Sequence, residues 1–229
     1  MPRICVLIGL LVPAGVLAEP AVSAYVTLTT DYVYRGVSLS DSDPALQAGI
    51  DLDTEMGVYA GLWASTADIP GLSSRERERE ANLYVGYSRR FGRRWTAAVS
   101  ITRYLYPGAP GNIDYDYTEG VLTISHRDRL WLEYAWTPSY QGHDSVAKHI
   151  SLLRSWQLPD GLSLTAGGGY FDASLYGGVR YWHWEAGLTR HFGPFTADLR
   201  YHDTDGAARP ISTSDTAGER LVLSLSVYF

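Results

Sequence analysis

Apolar and polar residues alternate along most of this chain, and its last segment shows the pattern most clearly. Every second residue from 221 to 229 is apolar, whereas Arg220, Ser224 and Ser226 belong to the other set. Because successive side chains of a strand point to opposite faces, this pattern predicts a strand with one apolar and one polar face. A final strand that ends in an aromatic residue resembles the signal bound by the outer-membrane assembly machinery. The predicted assembly signal is Leu221, Leu223, Leu225, Val227 and Phe229.

The same alternation predicts twelve strands, most of them close to the roughly 9–11 residues that a tilted strand needs to cross a bilayer. They are expected at residues 22–35, 44–53, 57–66, 79–90, 94–106, 115–126, 129–138, 146–157, 161–172, 179–191, 194–203 and 219–229.

The connections between these segments alternate in length. Even-numbered segments are followed by tight turns, such as residues 127–128, and odd-numbered ones by longer polar loops, such as residues 67–78. This alternation is typical of membrane barrels, whose periplasmic turns are short and whose outer loops are long. A soluble β-sandwich has no reason to alternate the lengths of its turns. We therefore predict an all-β fold, a transmembrane antiparallel meander β-barrel of twelve strands.

The N-terminal segment has the three parts of a secretory signal peptide. Arg3 gives a positive start, residues 4–11 are apolar, and Val16-Leu17-Ala18 is a small-residue cleavage site. The apolar run is too short to cross a bilayer as a helix. We therefore expect residues 1–18 to be cleaved off and residues 19–229 to form a barrel in the bacterial outer membrane.

Composition narrows the classes of function. The chain has 19 Lys and Arg and 25 Asp and Glu, which give a formal charge of −6. This acidic balance argues against a nucleic-acid-binding function and against a polybasic lipid-binding patch. The single cysteine, Cys5, lies in the predicted signal peptide, so the mature chain has no thiol for a disulfide, a metal or a nucleophile. The chain also holds 17 Tyr, 7 Trp and 23 Gly, a composition that fits an outer-membrane barrel. The expected partners are outer-membrane lipids, the barrel assembly machinery and small solutes or ions, and no cofactor is expected.

A motif near the N-terminus carries a family resemblance. Residues 26–38 read Val-Thr-Leu-Thr-Thr-Asp-Tyr-Val-Tyr-Arg-Gly-Val-Ser, and residues 43–49 read Asp-Pro-Ala-Leu-Gln-Ala-Gly. They resemble the opening of the TorF-type porin family of Gram-negative outer-membrane proteins, also catalogued as conserved hypothetical. More generic resemblances follow in the expected order at residues 57–63, 83–87, 104–108 and 117–119. Asn82 and Arg103 depart from the family pattern. The resemblance implies a pore-like role.

If the apolar sets face lipid, the polar sets line the lumen, since an arginine or lysine facing lipid at midplane costs about 2–4 kcal/mol. Arg103 and Arg154 fall on the lipid-facing sets, which requires either a position near the interface or a bulge that shifts the register. Asp31 and Arg35 are expected on one face of the first strand, with Asp51 and Glu80 as candidate partners. The predicted pore-lining residues are Asp31, Arg35, Gln47, Asp51, Glu80, Asn82, Tyr84, Tyr104, Glu119, Glu133, His183, Glu185, Asp198, Arg200 and His202.

Seven of these side chains are carboxylates and two are guanidinium groups. Acidic rings favour cations, although paired charges would instead rigidify a closed lumen. Twelve strands lie between the about 8 that leave room only for side chains and the 16–18 that enclose an aqueous channel. We predict a narrow passive channel for water and small solutes with a weak preference for cations.

Two alternatives stay open. One is a non-conducting structural or partner-binding barrel, for which the polar loop at residues 203–218 would offer a surface. The other is a membrane-embedded lipid hydrolase, which needs a serine and a histidine within hydrogen-bond reach. His126 follows Ser125, but neighbours on a strand face opposite sides, and the chain contains neither Gly-x-Ser-x-Gly nor His-Glu-x-x-His. We predict no catalytic residues and no metal site.

Overall fold

The chain folds into a closed antiparallel barrel in which strands that follow one another in sequence are paired. The computed structural model describes residues 21–67, 78–107, 114–208 and 216–229, so the predicted signal peptide lies outside the described residues. The barrel strands are β1 (Ala21–Thr29), β4 (Ala45–Asp53), β5 (Val58–Ala67), β6 (Glu78–Phe91), β7 (Trp95–Leu105), β8 (Tyr117–His126), β9 (Leu130–Thr137), β10 (Ala147–Gln157), β11 (Leu162–Ala173), β12 (Val179–Phe192), β13 (Phe195–Thr204) and β14 (Arg220–Tyr228).

The barrel is closed by pairing of its first and last strands. β14 pairs antiparallel with β1, with Leu225 opposite Leu28 and Val227 opposite Val26. An open edge would leave unpaired backbone groups in lipid, where water cannot satisfy them. The prediction of a twelve-stranded meander barrel is confirmed. No helix in the described part of the chain is long and apolar enough to cross a membrane.

Strand boundaries agree with the predicted segments to within two residues, except at the end of the first strand. The alternation predicts a strand over residues 22–35, but β1 ends at Thr29, whose hydroxyl donates to the carbonyl of Asp31 at 2.8 Å. The chain then forms a separate two-stranded hairpin, β2 (Val33–Tyr34) and β3 (Val37–Ser38), before β4 begins. The expectation that Asp31 and Arg35 lie on the first strand is therefore wrong.

Burial follows the period-two pattern. Along β10, every second residue from Ala147 to Ser155 is buried, and the residues between them are exposed. In the middle of the strand the exposed residues are Ile150 and Leu152, each about half exposed, with Lys148 and Arg154 nearer its ends. This outer surface is the lipid-facing band expected of a membrane barrel.

The two arginines on the lipid-facing sets lie on uninterrupted strands. Strand pairing runs through Arg103 and Arg154 without a break, so neither position reflects a bulge. Arg103 lies near the end of β7 and contacts Asp116 at 3.4 Å, whereas Arg154 lies near the other end of the barrel with its guanidinium 5.3 Å from the Trp156 ring. Both therefore occupy positions near a membrane interface, where an exposed charge costs about 0–1 kcal/mol.

The two ends of the barrel differ in their connections. Tight turns join β8 to β9 through Arg127 and Asp128, with φ of 55° and 50°, and β12 to β13 through Gly193, with φ of 61°. The longer connections, including residues 30–44 and 138–146, lie at the opposite end. In outer-membrane barrels the short-turn end faces the periplasm, which places the hairpin toward the outer end.

Candidate functional site

The lumen near the outer end of the barrel contains the β2–β3 hairpin. Its two strands pair Val33 with Ser38 and Tyr34 with Val37, and Arg35 and Gly36 form the two-residue turn between them. Both turn residues have positive φ, 51° and 81°. This conformation is that of the tight turn whose twist matches that of the flanking strands, which explains the glycine at the second position.

The tip of the hairpin is fixed by an ion pair. The Arg35 guanidinium donates to both carboxylate oxygens of Glu119 on β8, at 2.7 and 3.0 Å, and the two side chains are 6% and 2% exposed. The guanidinium also lies 4.7 Å from the ring centre of Tyr34 and 5.6 Å from that of Phe171. Two-point pairing between a guanidinium and a carboxylate is strong and directional, so it fixes both the position and the orientation of the tip.

A second ion pair holds the base of the hairpin on the opposite wall. The Arg220 guanidinium donates to Asp31 at 2.6 Å, and the Ser38 and Ser40 hydroxyls donate to the same carboxylate at 2.6 and 3.0 Å. Arg220 begins β14, which is half-way around the barrel from β8. The hairpin therefore spans the lumen from wall to wall.

The partners expected for the two hairpin charges are wrong. Asp31 pairs with Arg220, and Arg35 pairs with Glu119, rather than with Asp51 or Glu80. Because the first strand stops at Thr29, the following residues turn into the lumen and reach distant strands. Pairing across the lumen depends on this path, which the sequence pattern does not show.

Tyrosine side chains of the hairpin contact a third part of the wall. The Tyr32 hydroxyl donates to Glu80 of β6 at 3.1 Å, and the Tyr34 hydroxyl lies 3.0 Å from that of Tyr104 on β7. The Tyr104 ring stacks in turn on Tyr117, with ring centres 4.5 Å apart. These contacts join the hairpin to a buried aromatic cluster in the outer half of the lumen.

Polar side chains on the β9–β13 wall form two further groups. Arg200 contacts Glu185 at 2.6 Å and Asp198 at 3.0 Å. The Nε2 atoms of His149 and His183 lie 2.9 Å apart. Among the described residues, no group of three or more His, Asp and Glu side chains is arranged to hold a metal ion.

The remaining predicted pore-lining residues lie on inward-facing positions of the barrel strands, and their role in a pore stays a prediction. Those on β4 to β7 are Gln47, Asp51, Glu80, Asn82, Tyr84 and Tyr104, and those on β8 to β13 are Glu119, Glu133, His183, Glu185, Asp198, Arg200 and His202.

Sequence reasoning missed several residues that hold the hairpin. Arg220 belongs to the polar set of the final strand, and that alternation could have placed it in the lumen. Tyr32, Tyr34 and Ser40 carry no such signal, because their contacts depend on the inward path of the connection from β1 to β4.

Toward the periplasmic end, large inward side chains pack against glycines of neighbouring strands. A Cβ at Gly49 would lie 2.6 Å from the Tyr25 ring, and a Cβ at Gly61 would overlap the hydroxyl of Tyr84. Tyr84 donates to the carboxylate of Asp51 on the same part of the wall. Rings held along the wall occupy less of the lumen than rings that project toward its axis.

The adjacent serine and histidine lie on opposite faces of β8. His126 packs on Trp95, with ring centres 4.5 Å apart, whereas Ser125 is buried and its hydroxyl lies 3.4 Å from Asp128. Among the interior histidines, His149 contacts His183, and His191 bonds the hydroxyl of Thr196 at 2.8 Å. None of these contacts joins a serine hydroxyl to a histidine as a lipid hydrolase requires.

Comparison with known proteins identifies the fold and the family. A family model described as a bacterial protein of unknown function, Gcw_chp, matches residues 14–228. The KdgM porin structure superposes with a TM-score of 0.58 at 7% identity, over 91% of this chain and 99% of that one. The NanC porin superposes with a TM-score of 0.56 at 11% identity, over 91% and 99%. Comparison with curated protein sequences gives no match. The fold is therefore that of outer-membrane porins, and the TorF-type resemblance stays a prediction.

Proposed function

The chain belongs to the Gcw_chp family of bacterial proteins of unknown function, and we propose that it is a narrow outer-membrane channel constricted by its own β2–β3 hairpin. Water and small solutes are the permeants, with a weak preference for cations. The observation that carries the proposal is the hairpin itself, which crosses a polar lumen between Glu119 and Arg220 on opposite walls.

The hairpin is held both by apolar packing, with Val37 in a buried hydrophobic cluster, and by polar contacts with the wall. The hairpin is held by side-chain contacts of Asp31, Tyr32, Tyr34 and Arg35 with barrel residues. A barrel of twelve strands is wider than one that its own side chains fill. The hairpin therefore sets the narrowest part of the lumen, and any permeating solute must pass beside it.

The charges of the lumen support a preference for cations. Asp31, Glu119, Glu185 and Asp198 face arginine partners. In contrast, no arginine or lysine of the described chain pairs with three other inward-facing carboxylates. These are Asp51, Glu80 and Glu133. Arg220 is a lumenal arginine that the sequence prediction did not include. Even with Arg220 counted, inward-facing carboxylates outnumber inward-facing arginines among these residues, and acidic side chains in a pore attract cations.

Conductance measurements on wild-type protein and on a hairpin-deleted variant test the proposal. In the variant, a short Gly-Ser linker replaces residues 32–40, and its folding is checked by heat-dependent mobility on a denaturing gel. We expect small, weakly cation-selective conductance from the wild-type protein in a planar bilayer. The variant should conduct several-fold more, because its narrowest element is removed.

Two outcomes would contradict the proposal. A well-folded variant that conducts no more than wild type would show that the hairpin is not the constriction. Absence of conductance from both proteins would favour the second candidate, a non-conducting structural or partner-binding barrel. The dense contacts of the hairpin with both walls are the observation that favours this alternative.

A further inference from the structure

One sector of the periplasmic rim concentrates positive charge. It comprises the short-turn ends of β6 to β10, which are neighbouring strands of the barrel. Its exposed arginines are Arg89, Arg90, Arg93, Arg94, Arg127, Arg129 and Arg154. The β4–β5 turn on the same rim instead carries Glu55. The acidic composition of the whole chain argued against a basic lipid-binding patch, but the fold gathers these dispersed arginines on one side.

A groove of about 370 Å³ opens on the outer surface of this sector. The residues that line it include Arg127, Arg129, Leu130, Arg154 and Trp156. The strand ends around it are joined by backbone hydrogen bonds, from Arg127 to the carbonyl of Arg94 at 2.6 Å and from Ser155 to the carbonyl of Arg129 at 2.8 Å. The groove is therefore lined by strand ends that are hydrogen-bonded to one another.

The cations that line this groove lack anionic partners. Within the described residues, none of Arg127, Arg129 and Arg154 forms an ion pair with a carboxylate, and the nearby Asp128 faces Arg90 at 3.9 Å. Arg154 projects from the lipid-facing side of β10 and lies over the Trp156 ring. A guanidinium at this position is suited to two-point hydrogen bonding with a phosphate.

The surroundings of the groove fit a lipid better than a free anion. Leu132 and Leu152 lie on the membrane side of Arg154 and are each about half exposed. Trp156 and Trp95 add exposed aromatic surface at the level of the short turns. Aromatic side chains at this level mark the membrane interface, so the groove lies at the depth of lipid headgroups and the leucines lie at the depth of acyl chains.

We propose that this groove binds the headgroup phosphate of an anionic phospholipid from the periplasmic leaflet. Arg127, Arg129 and Arg154 supply the charge, and the adjoining leucine surface of β9 and β10 holds the acyl chains. The proposal requires the barrel to lie in the outer membrane but does not depend on whether it conducts.

Native mass spectrometry of the folded barrel in non-ionic detergent tests the site. Wild-type protein is offered phosphatidylglycerol or phosphatidylcholine, and retention of each lipid is measured. Arg154→Gln removes a charge from the groove. Arg190→Gln is the matched control, because Arg190 is also exposed near the short-turn end but lies on β12. Excess inorganic phosphate tests whether a free anion can displace the lipid from the groove.

We expect wild-type protein to retain phosphatidylglycerol over phosphatidylcholine, and Arg154→Gln to weaken that retention about fivefold, the factor for about 1 kcal/mol per arginine. Arg190→Gln and inorganic phosphate should leave retention unchanged. If Arg154→Gln misfolds on the gel, Arg127→Asn replaces it, since asparagine tolerates the positive φ of that turn. Equal retention of both lipids, equal loss in groove and control variants, or displacement by inorganic phosphate would each overturn the proposal.

Discussion

Arg35 at the tip of the hairpin and Glu119 on β8 form a two-point ion pair, with N–O distances of 3.0 and 2.7 Å and both side chains buried. Removing one member of a buried ion pair typically costs about 3–5 kcal/mol, because the other charge is left without a partner. The hairpin is short and has only two paired residues on each side. The position of its tip therefore depends strongly on this contact, whereas the Asp31–Arg220 pair holds its base.

Replacing Glu119 by Gln should release the tip of the hairpin and raise the conductance several-fold. The Arg35 guanidinium would lose its charged partner in a buried site, which destabilises the position of the hairpin tip against β8. Planar-bilayer recordings measure the change. Arg180→Gln is the control, because the Arg180–Asp172 pair at 3.5 Å is largely exposed and such pairs contribute about 0–1 kcal/mol. The double exchange Arg35→Glu with Glu119→Arg should restore an ion pair and lower the conductance again. If it does not, the Arg35–Glu119 pair is not what holds the hairpin tip in place.

The turn of the hairpin should tolerate alanine poorly at Gly36. Its φ is 81°, and a Cβ would lie 2.7 Å from the Cβ of His183 and 2.9 Å from a methyl group of Thr204. Gly193 also has positive φ, 61°, but a Cβ added there would have no atom within 4 Å. We expect Gly193→Ala to cost about 1–2 kcal/mol of backbone strain, and Gly36→Ala to add a steric cost that displaces the hairpin. Protease accessibility of the folded barrels compares the two, and equal cleavage of the hairpin in both variants would contradict this account.

Asp51 should contribute to cation preference more directly than Asp31. The Asp31 carboxylate is paired with Arg220 at 2.6 Å, so Asp31→Asn would also remove this charged contact of Arg220 and change the hold on the hairpin. Asp51 lies on the inner wall and accepts a hydrogen bond from Tyr84. Asp51→Asn should therefore reduce the ratio of cation to anion permeability measured from reversal potentials in a salt gradient. Asp160→Asn, an exposed change in the β10–β11 turn, should leave the ratio unchanged, and an equal effect of both variants would refute the assignment.

Changes in the final strand should impair insertion of the barrel. Leu225 faces outward opposite Leu28, and an aspartate there would place a polar group on the lipid-facing surface. Phe229 bonds backbone groups of Ala24 on β1, with its amide donating at 2.9 Å, and it belongs to the predicted assembly signal. We expect Leu225→Asp and deletion of Phe229 each to lower the amount of heat-modifiable barrel in outer-membrane fractions. Leu225→Ile is the control, and normal levels of both damaging variants would count against the assembly signal.

The sequence determined the barrel because each membrane strand has one face in lipid and one in a polar lumen. This requirement fixes the side-chain period at two, so strands such as β10 and β14 were located to within a residue. It also placed Glu119, Arg200 and most other polar side chains on inward-facing positions. The positions of the tight turns could also be predicted from the sequence, because such turns need residues that accept positive φ, such as Gly193.

The path of residues 30–44 and the contacts they make could not be predicted from the sequence and are seen only in the folded barrel. Tyr32 and Tyr34 continue the alternation of β1, so the pattern itself does not mark the end of that strand at Thr29. The pairing of Asp31 with Arg220 joins residues 189 positions apart, and such a pair forms only after the barrel closes. The basic sector of the periplasmic rim could not be predicted from net charge either. A chain with an acidic net charge can still bring arginines of neighbouring turns together. Local periodicity specifies which face of a strand a side chain occupies, whereas contacts across a closed lumen or along a rim depend on how the strands are assembled.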